Sequence, residues 1–465
     1  MTVRNGLPAL RTAPTNPATT SALLNEPIIL VLGFNLLTIA CMITAPIEWD
    51  AENLPEIYFL VLVCQALLPI GFGLGRKRGL LTRPRTVLPL SSGATVMPYL
   101  LGIYLLAAPI SYGYRMGFSP LDISGMANML LAGLQDRVFA YANALRGVGL
   151  GPIPWTAYFF VSIFTQCFFI AGFLYWKRMS VGTRLLFGGL VCLDLLFSMG
   201  RGMTFGVVSM VTTFLLAAMF WKRSRLKTVL LVGALFVGTV AIFSYNLYSR
   251  SGNLERAVEL VEFGRSTLIV DHPVLALIPE SLRPTYLNVI SYFCGGYYHA
   301  SFALDLDFTP TLFVGSNPAL IGLAAVFGID VWNDTYMHRL QVARGIDELG
   351  VWHSAYTWYA NDVSFVGVPV VVFGIAYLFG FSWARSAQGD FVSKIVFVIL
   401  GNVLLFLFAN NTYLSSVFYS FMFLLPFWLF TRVLGSVPLR QRKRPPRTAT
   451  SSRPMTITPD SEATQ

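Results

Sequence analysis

Ten stretches of this sequence are long, apolar and almost free of charge: 27–46, 56–74, 93–111, 154–176, 183–199, 203–221, 228–246, 366–384, 395–411 and 413–431. A bilayer core of roughly 30 Å needs about 20 such residues per helix, so each block is long enough to cross or nearly so. Lipid offers no partner to an unpaired backbone, and helices are therefore the expected form. Composition agrees, with 55% hydrophobic and only 12% charged residues, against about a quarter charged in soluble domains. A soluble globular protein is excluded. The expected fold class is an all-α polytopic integral membrane protein with about ten (10–12) transmembrane helices.

The basic residues orient the helices. With the N-terminus in the cytoplasm, 23 of the 33 Lys and Arg fall inside, including all six lysines and the clusters Arg76-Lys77-Arg78, Lys177-Arg178 and Arg442-Lys443-Arg444. The short outer connections hold only Arg115, Arg137, Arg146 and Arg201. Both termini are therefore expected in the cytoplasm. Residues 247–365 then form one large extracytoplasmic loop with twelve Asp and Glu, six Arg and no Lys, a net charge of −6 that leaves +16 for the remainder. The overall +10 thus belongs to the cytoplasmic face, where anionic lipid meets it. No nucleic-acid partner is needed to explain it.

The expected organisation follows. A cytoplasmic tail spans 1–26, and a seven-helix region spans 27–246, with an amphipathic outer segment at 112–153. The loop 247–365 precedes a three-helix region at 366–433 and a disordered basic tail at 434–465. Within the loop, 286–304 and 311–328 are apolar enough to dip into the bilayer, as re-entrant or interfacial segments or as a helical hairpin that makes twelve spans. Gly295-Gly296 and Pro318, which break each stretch, favour the re-entrant form. The five cysteines show no C-x-x-C spacing, so neither a disulfide framework nor a zinc site is indicated.

Chemistry concentrates on the outer side. Arg201 sits in the tight turn Ser198-Met199-Gly200-Arg201-Gly202, whose flanking glycines let a bulky ligand approach the backbone. Asp194 lies seven residues earlier, about 10 Å deeper on the same face. The loop arginines Arg250, Arg265, Arg283 and Arg339 suit bidentate recognition of phosphate or carboxylate, although the loop's own acids compete for them. All four histidines lie in the same loop. His353 and Asp362 flank an aromatic stretch entering the eighth helix, where a histidine can serve as general base near neutral pH. The histidines lack metal-ligand spacing, and Asp305-x-Asp307 arises easily in so acidic a loop, so no metal is expected.

Three motifs resemble the oligosaccharide repeat-unit polymerase family, the Wzy-type O-antigen polymerases. The S-M-G-R-G turn at 198–202 is similar to the family's Ser/Gly-Arg-Gly turn. V-I-S-Y-F-C-G-G at 289–296 is similar to its Gly-containing stretch in the outer loop. N-D-V-S-F-V-G at 361–367 is similar to the start of its next helix, with Ser364 where a small Gly is expected. The resemblance covers about 185–385. It implies a GT-C-like, metal-independent glycosyltransferase without a cofactor in a bacterial cytoplasmic (inner) membrane. Such an enzyme joins undecaprenyl-diphosphate-linked repeat units in exopolysaccharide or lipopolysaccharide synthesis. In that reading His353 and Asp362 are catalytic, and Arg201, Arg250, Arg265, Arg283, Arg339 and Tyr297 hold diphosphate or glycan. A chain-length regulator or flippase is the expected protein partner. An O-antigen ligase-like enzyme using the same donor, and a lipid-linked glycan transporter, are the alternatives. A transporter binds near the bilayer midplane, whereas here intramembrane charge is confined to Asp194.

Reporters fused after residues 80, 225 and 440 should be cytoplasmic and those after 130 and 310 external. An external signal at 225 would overturn the layout.

Overall fold

The computed structural model describes residues 26–84, 93–116, 155–200, 205–221, 266–348, 351–409, 412–434 and 436–438, with isolated positions between 122 and 131 and between 234 and 241. The described chain is mostly helical. Its elements begin with α1 (Glu26–Thr44), α2 (Leu54–Leu81), α3 (Gly93–Met116), α4 (Trp155–Thr165), α5 (Phe168–Tyr175), α6 (Val181–Gly200) and α7 (Phe205–Ala218). They continue with α8 (Arg283–Ala303), α9 (Pro318–Val326), α10 (Tyr336–Arg344), α11 (Ala355–Ala387), α12 (Phe391–Leu405) and α13 (Thr412–Trp428), which ends in a π-helical turn, Leu429–Leu434. Among the described residues, six helices are long and apolar enough to cross a membrane: Pro27–Thr44, Leu54–Leu81, Thr156–Arg178, Val181–Gly200, Ala355–Ala387 and Ser416–Leu434. Two further apolar helices, α7 and α12, are shorter. The expected span 228–246 and the amphipathic segment 112–153 fall mostly outside the described residues.

The central contact is between α2 and α11. On α2, Gly71, Gly75 and Gly79 recur every fourth residue and form one face of the helix. A Cβ at Gly75 would run into the Tyr377 carbonyl, and one at Gly79 would meet the Ala384 Cβ at 2.7 Å. On α11 the answering row is Ala376, Gly380 and Ala384, and a Cβ at Gly380 would collide with the Phe72 carbonyl. Lipid tails are as apolar as leucine, so membrane helices associate through such small-residue seams, where backbones come close enough for dispersion contact.

Polar side chains add ties within this pair and among the other helices. Asn35 on α1 donates to the Leu404 carbonyl of α12 at 2.9 Å. Thr38 meets the Tyr297 hydroxyl of α8 at 2.9 Å. Gln65 on α2 donates to the Tyr356 hydroxyl on α11 at 3.0 Å. The span 156–178 is broken after Thr165, and Ser420 from α13 donates to the Ser162 and Ile163 carbonyls just before the break. A backbone irregularity at membrane depth is tolerated where protein satisfies it in this way.

Two small ribbons sit at opposite ends of α2. Strand β1 (Ile47–Glu48) pairs antiparallel with β3 (Thr267–Leu268), and β2 (Thr82–Pro84) with β4 (Ser436–Pro438). Each ribbon joins segments that the charge count assigns to one side, so the β1–β3 end is called outer below. At the inner end Arg385 donates to the Thr82 carbonyl at 2.6 Å, and buried Arg432 pairs with Asp390 at 3.3 Å.

Three expected features change and one boundary is refined. The helix expected at 366–384 keeps its start, because the non-helical Ser364 separates it from a preceding helical stretch of α11. That stretch begins at Ala355, capped by Ser354, whose hydroxyl accepts from the Thr357 N–H. Gly295-Gly296 does not break its stretch, because α8 runs through it without interruption. Gly296 instead admits the backbone of the segment after α12, since a Cβ there would strike the Phe408 carbonyl. Pro318 opens a helix at its first turn, where the missing N–H costs nothing. The expected disordered tail also begins in order: residues 436–438 form β4, because their backbone pairs with β2.

Gly75→Ala should lower thermal stability in detergent by about 1–3 kcal/mol through overpacking of the seam. Gly73→Ala, whose added Cβ meets nothing within 4 Å, should leave it unchanged. Equal melting curves for the two variants would remove the seam from its central place.

Candidate active site

The outer end gathers three segments that are distant in sequence: the end of α8, the W-H-S stretch 352–354 and the start of α7. The Trp352 ring lies 4.6 Å from Tyr292 and 6.0 Å from Phe205. Phe205 opens α7, so the start of that helix and the stretch containing His353 converge. Arg201 itself, with Arg250 and Arg265, lies outside the described residues.

His353 is fully buried. Its Nε2 faces the Asp347 carbonyl at 3.2 Å, which makes Nε2 the protonated nitrogen. Nδ1 is then a lone-pair nitrogen, and it has no partner. The His299 ring stands 5.6 Å away and directs its own Nδ1–H to the Trp352 carbonyl at 3.0 Å. Burial, and secondarily the neighbouring His299, push the His353 imidazole down to about 3. The ring is neutral at physiological pH and able to accept a proton, but covered. The hydroxyls of Tyr298 and Tyr359 and the Trp358 indole, on the same two helices, also lack partners.

Asp362 organises a loop. One carboxylate oxygen accepts from the Thr311 hydroxyl at 2.6 Å and the Gly315 N–H at 3.0 Å, and the other accepts from the Ser316 N–H at 2.9 Å. Its neighbour Asn361 completes the clasp. The Asn361 amide donates to the Gly315 carbonyl at 2.9 Å, and its side-chain oxygen accepts from the Tyr336 N–H at 2.8 Å. Sequence reading missed Asn361, Thr311 and Trp352. The one signal in the sequence is Asn317-Pro318, an N-cap followed by a first-turn proline, a pattern that starts a helix as readily as it breaks one.

The backbone is strained at this clasp. Leu312, Phe313 and Ser364, with φ of 54°, 64° and 57°, are the non-glycine residues at positive φ among the described residues. Ser364, with ψ 169° inside α11, occupies a region used almost only by glycine, at a cost on the order of 1–3 kcal/mol. The glycine expected at this position from the family resemblance would adopt it without that cost.

The remaining expected ligands are engaged elsewhere. Tyr297 is buried against Thr38 and Tyr356, which leaves its ring no face for a sugar. Arg283 donates to the Leu275 and Ile278 carbonyls and lies 3.8 Å from Glu280. Arg339 donates to the Asp307 carbonyl at 2.7 Å and to Thr309 at 3.1 Å. Asp305 of the D-x-D accepts from Asn53 and pairs with Arg344 at 3.0 Å. Among the described residues no three His, Cys, Asp or Glu gather as a metal set. Deeper in the bundle, Asp194 accepts from the Tyr112 hydroxyl at 2.8 Å, and Tyr112 meets Tyr104 at 2.9 Å, clasping α6 to α3.

A histidine whose folded pKa lies below its unfolded value of about 6.5 stabilises nothing by protonation. The unfolded state binds the extra proton, so stability is complete above about pH 6.5 and falls as pH drops toward 3, by up to about 1.4 kcal/mol per unit. Thermal stability in detergent should therefore decline between pH 7 and pH 5 more steeply in the native protein than in His353→Asn. Parallel profiles would contradict the buried neutral state.

No family model, curated protein or solved structure matches the chain.

Proposed function

We propose that this chain is a GT-C-like polysaccharide polymerase. In this reading it joins lipid-diphosphate-linked repeat units at the outer face of a bacterial cytoplasmic membrane. The observation that supports it most is the approach of Trp352 to Phe205, which brings the W-H stretch to the first residue of α7, the helix that the S-M-G-R-G motif precedes in sequence. Both motifs carry the resemblance or its expected catalytic group, and they are far apart in sequence.

In the proposed reaction the acceptor hydroxyl oxygen attacks the anomeric carbon of the donor sugar. The bond from that carbon to the diphosphate oxygen breaks, and the lipid diphosphate leaves with the electron pair. The hydroxyl proton passes to Nδ1 of His353, the nitrogen that the Asp347 contact leaves as acceptor. Arg201 and Arg265 are assigned to the departing negative charge, where preorganised donors act most strongly. Asp362 is a positioning residue in this scheme, since its carboxylate is spent on the 311–316 loop. Substrate must displace the cover over His353, so the reading includes movement of the Trp352 segment on binding. Tyr297, Arg283 and Arg339 already have protein partners, so this reading gives them no leading part in holding the donor.

A deletion strain should accumulate single-repeat, lipid-linked glycan on the outer leaflet and lose the long-chain ladder. Arg201→Lys should lose most of the ladder at normal expression, because a lysine lacks the planar fork. His353→Ala should cut the rate about a hundred- to ten-thousand-fold while donor binding persists. A deletion that leaves chain length intact but blocks transfer to the terminal acceptor would instead identify a ligase. A full ladder in all three strains would end the glycosyl-transfer reading.

A further inference from the structure

The uncharged stretch of α11 gives a ruler for depth. Between Asp362 and Arg385 lie 22 residues without Asp, Glu, Lys, Arg or His, and the stretch 365–384 after the non-helical Ser364 gives about 30 Å of helix at 1.5 Å per residue. That matches a hydrocarbon core of roughly 30 Å, so Asp362 marks its outer boundary. The first turns beyond it face away from the protein, with Val366 88% and Val370 72% exposed.

The loop clasped by Asp362 sits at this level. It belongs to a second uncharged stretch, 308–329, which is 22 residues long and flanked by Asp307 and Asp330. This stretch does not cross, because its helix α9 is only nine residues long, about 14 Å. Its large apolar side chains nevertheless face outward. Leu312 is 74% exposed and Phe313 is 77% exposed, with Phe327 and Ile329 also exposed. An exposed apolar group of this extent marks an interaction surface. Leu312 and Phe313 also hold left-handed backbone conformations, and the carboxylate clasp keeps the strained turn in place. A turn relaxed in water would be expected to fold such side chains inward.

We propose that 308–329 is an outer-leaflet insertion element whose tip, Leu312 and Phe313, sits among the acyl chains of the bilayer beside Val366 and Val370. The occupant is bilayer lipid because the residue that clasps this turn, Asp362, stands only four and eight residues before the outward-facing Val366 and Val370 of a membrane-crossing helix. Burial of two large side chains in hydrocarbon offsets the strain of the turn, and Asp362 with the 315–316 amides places the polar edge of the element at the headgroup level. The inference is independent of any glycosyl-transfer role.

The full-length protein in nanodiscs containing a phosphatidylcholine with an acyl-chain diazirine tests it by photolysis and peptide mapping. Adducts are expected on Leu312 or Phe313 at a yield within about threefold of Val366 and Val370. Val342 on α10, equally apolar and 75% exposed, is the aqueous control and should stay unlabelled. Hydroxyl-radical footprinting in the same discs should mark Val342 at least tenfold more than Phe313. Labelling of Val366 without Leu312 or Phe313, together with strong hydroxyl-radical marking of Phe313, would place the tip in water and overturn the proposal. Protection of Phe313 from both reagents would equally overturn it, since a second protein would then be the occupant.

Discussion

The close approach of α2 and α11 is the constraint on which the rest of this structure depends. Apolar burial drives little association inside a membrane, so two long helices adhere only where their backbones nearly touch. The row Gly71, Gly75 and Gly79 against Ala376, Gly380 and Ala384 provides that contact over more than two turns. Its consequences reach both ends. At the inner end the seam delivers Arg385 to the Thr82 carbonyl, and Thr82 opens the strand that pairs with β4. At the outer end it carries Asn361 and Asp362 to the loops they organise.

Polar groups fix the register that the seam alone leaves free to slide. Gln65 to Tyr356 lies on the same helix pair and pins it lengthwise. Thr38 to Tyr297 and Asn35 to Leu404 attach α1 to α8 and α12. A hydrogen bond in hydrocarbon has no water competing for its donor, although each such bond contributes only on the order of 1 kcal/mol. Several of them on different helix pairs specify one arrangement. Asp194 belongs with them as far as its Tyr112 contact goes.

The membrane class of the fold was legible because hydrophobic length is a one-dimensional signal. Blocks such as 27–46 and 56–74 reappear as α1 and α2 with ends shifted by a few residues. The organisation of the outer segment was not legible, for a physical reason. Gly295-Gly296 and Pro318 have two opposite uses, breaking a helix or allowing a close contact and a helix start, and only the tertiary neighbours decide between them. The Phe408 backbone decides the first and Asn317 the second. Likewise Tyr297 and Arg283 are residue types that bind sugars or phosphates as readily as they bind protein. Thr38 and the Leu275 carbonyl, invisible in the sequence pattern, take them up. The α2–α11 seam was readable in principle, as glycines at every fourth position, but its partner row lies some 300 residues away.

Two kinds of departure from ideal structure coincide at the outer end. The positive-φ residues Leu312, Phe313 and Ser364 all belong to the Asp362 clasp. The partnerless Nδ1 of His353, the hydroxyls of Tyr298 and Tyr359 and the Trp358 indole lie on α8, on α11 or just before α11. Strain and unmet hydrogen-bonding capacity each lower stability, and a packed structure retains them where surrounding contacts over-determine the geometry. The glycine seam and the carboxylate clasp are those contacts. A rigid pair of helices holds a locally unfavourable arrangement at the membrane boundary, and the outer ends of α8 and α11 are therefore where a ligand has the most to satisfy.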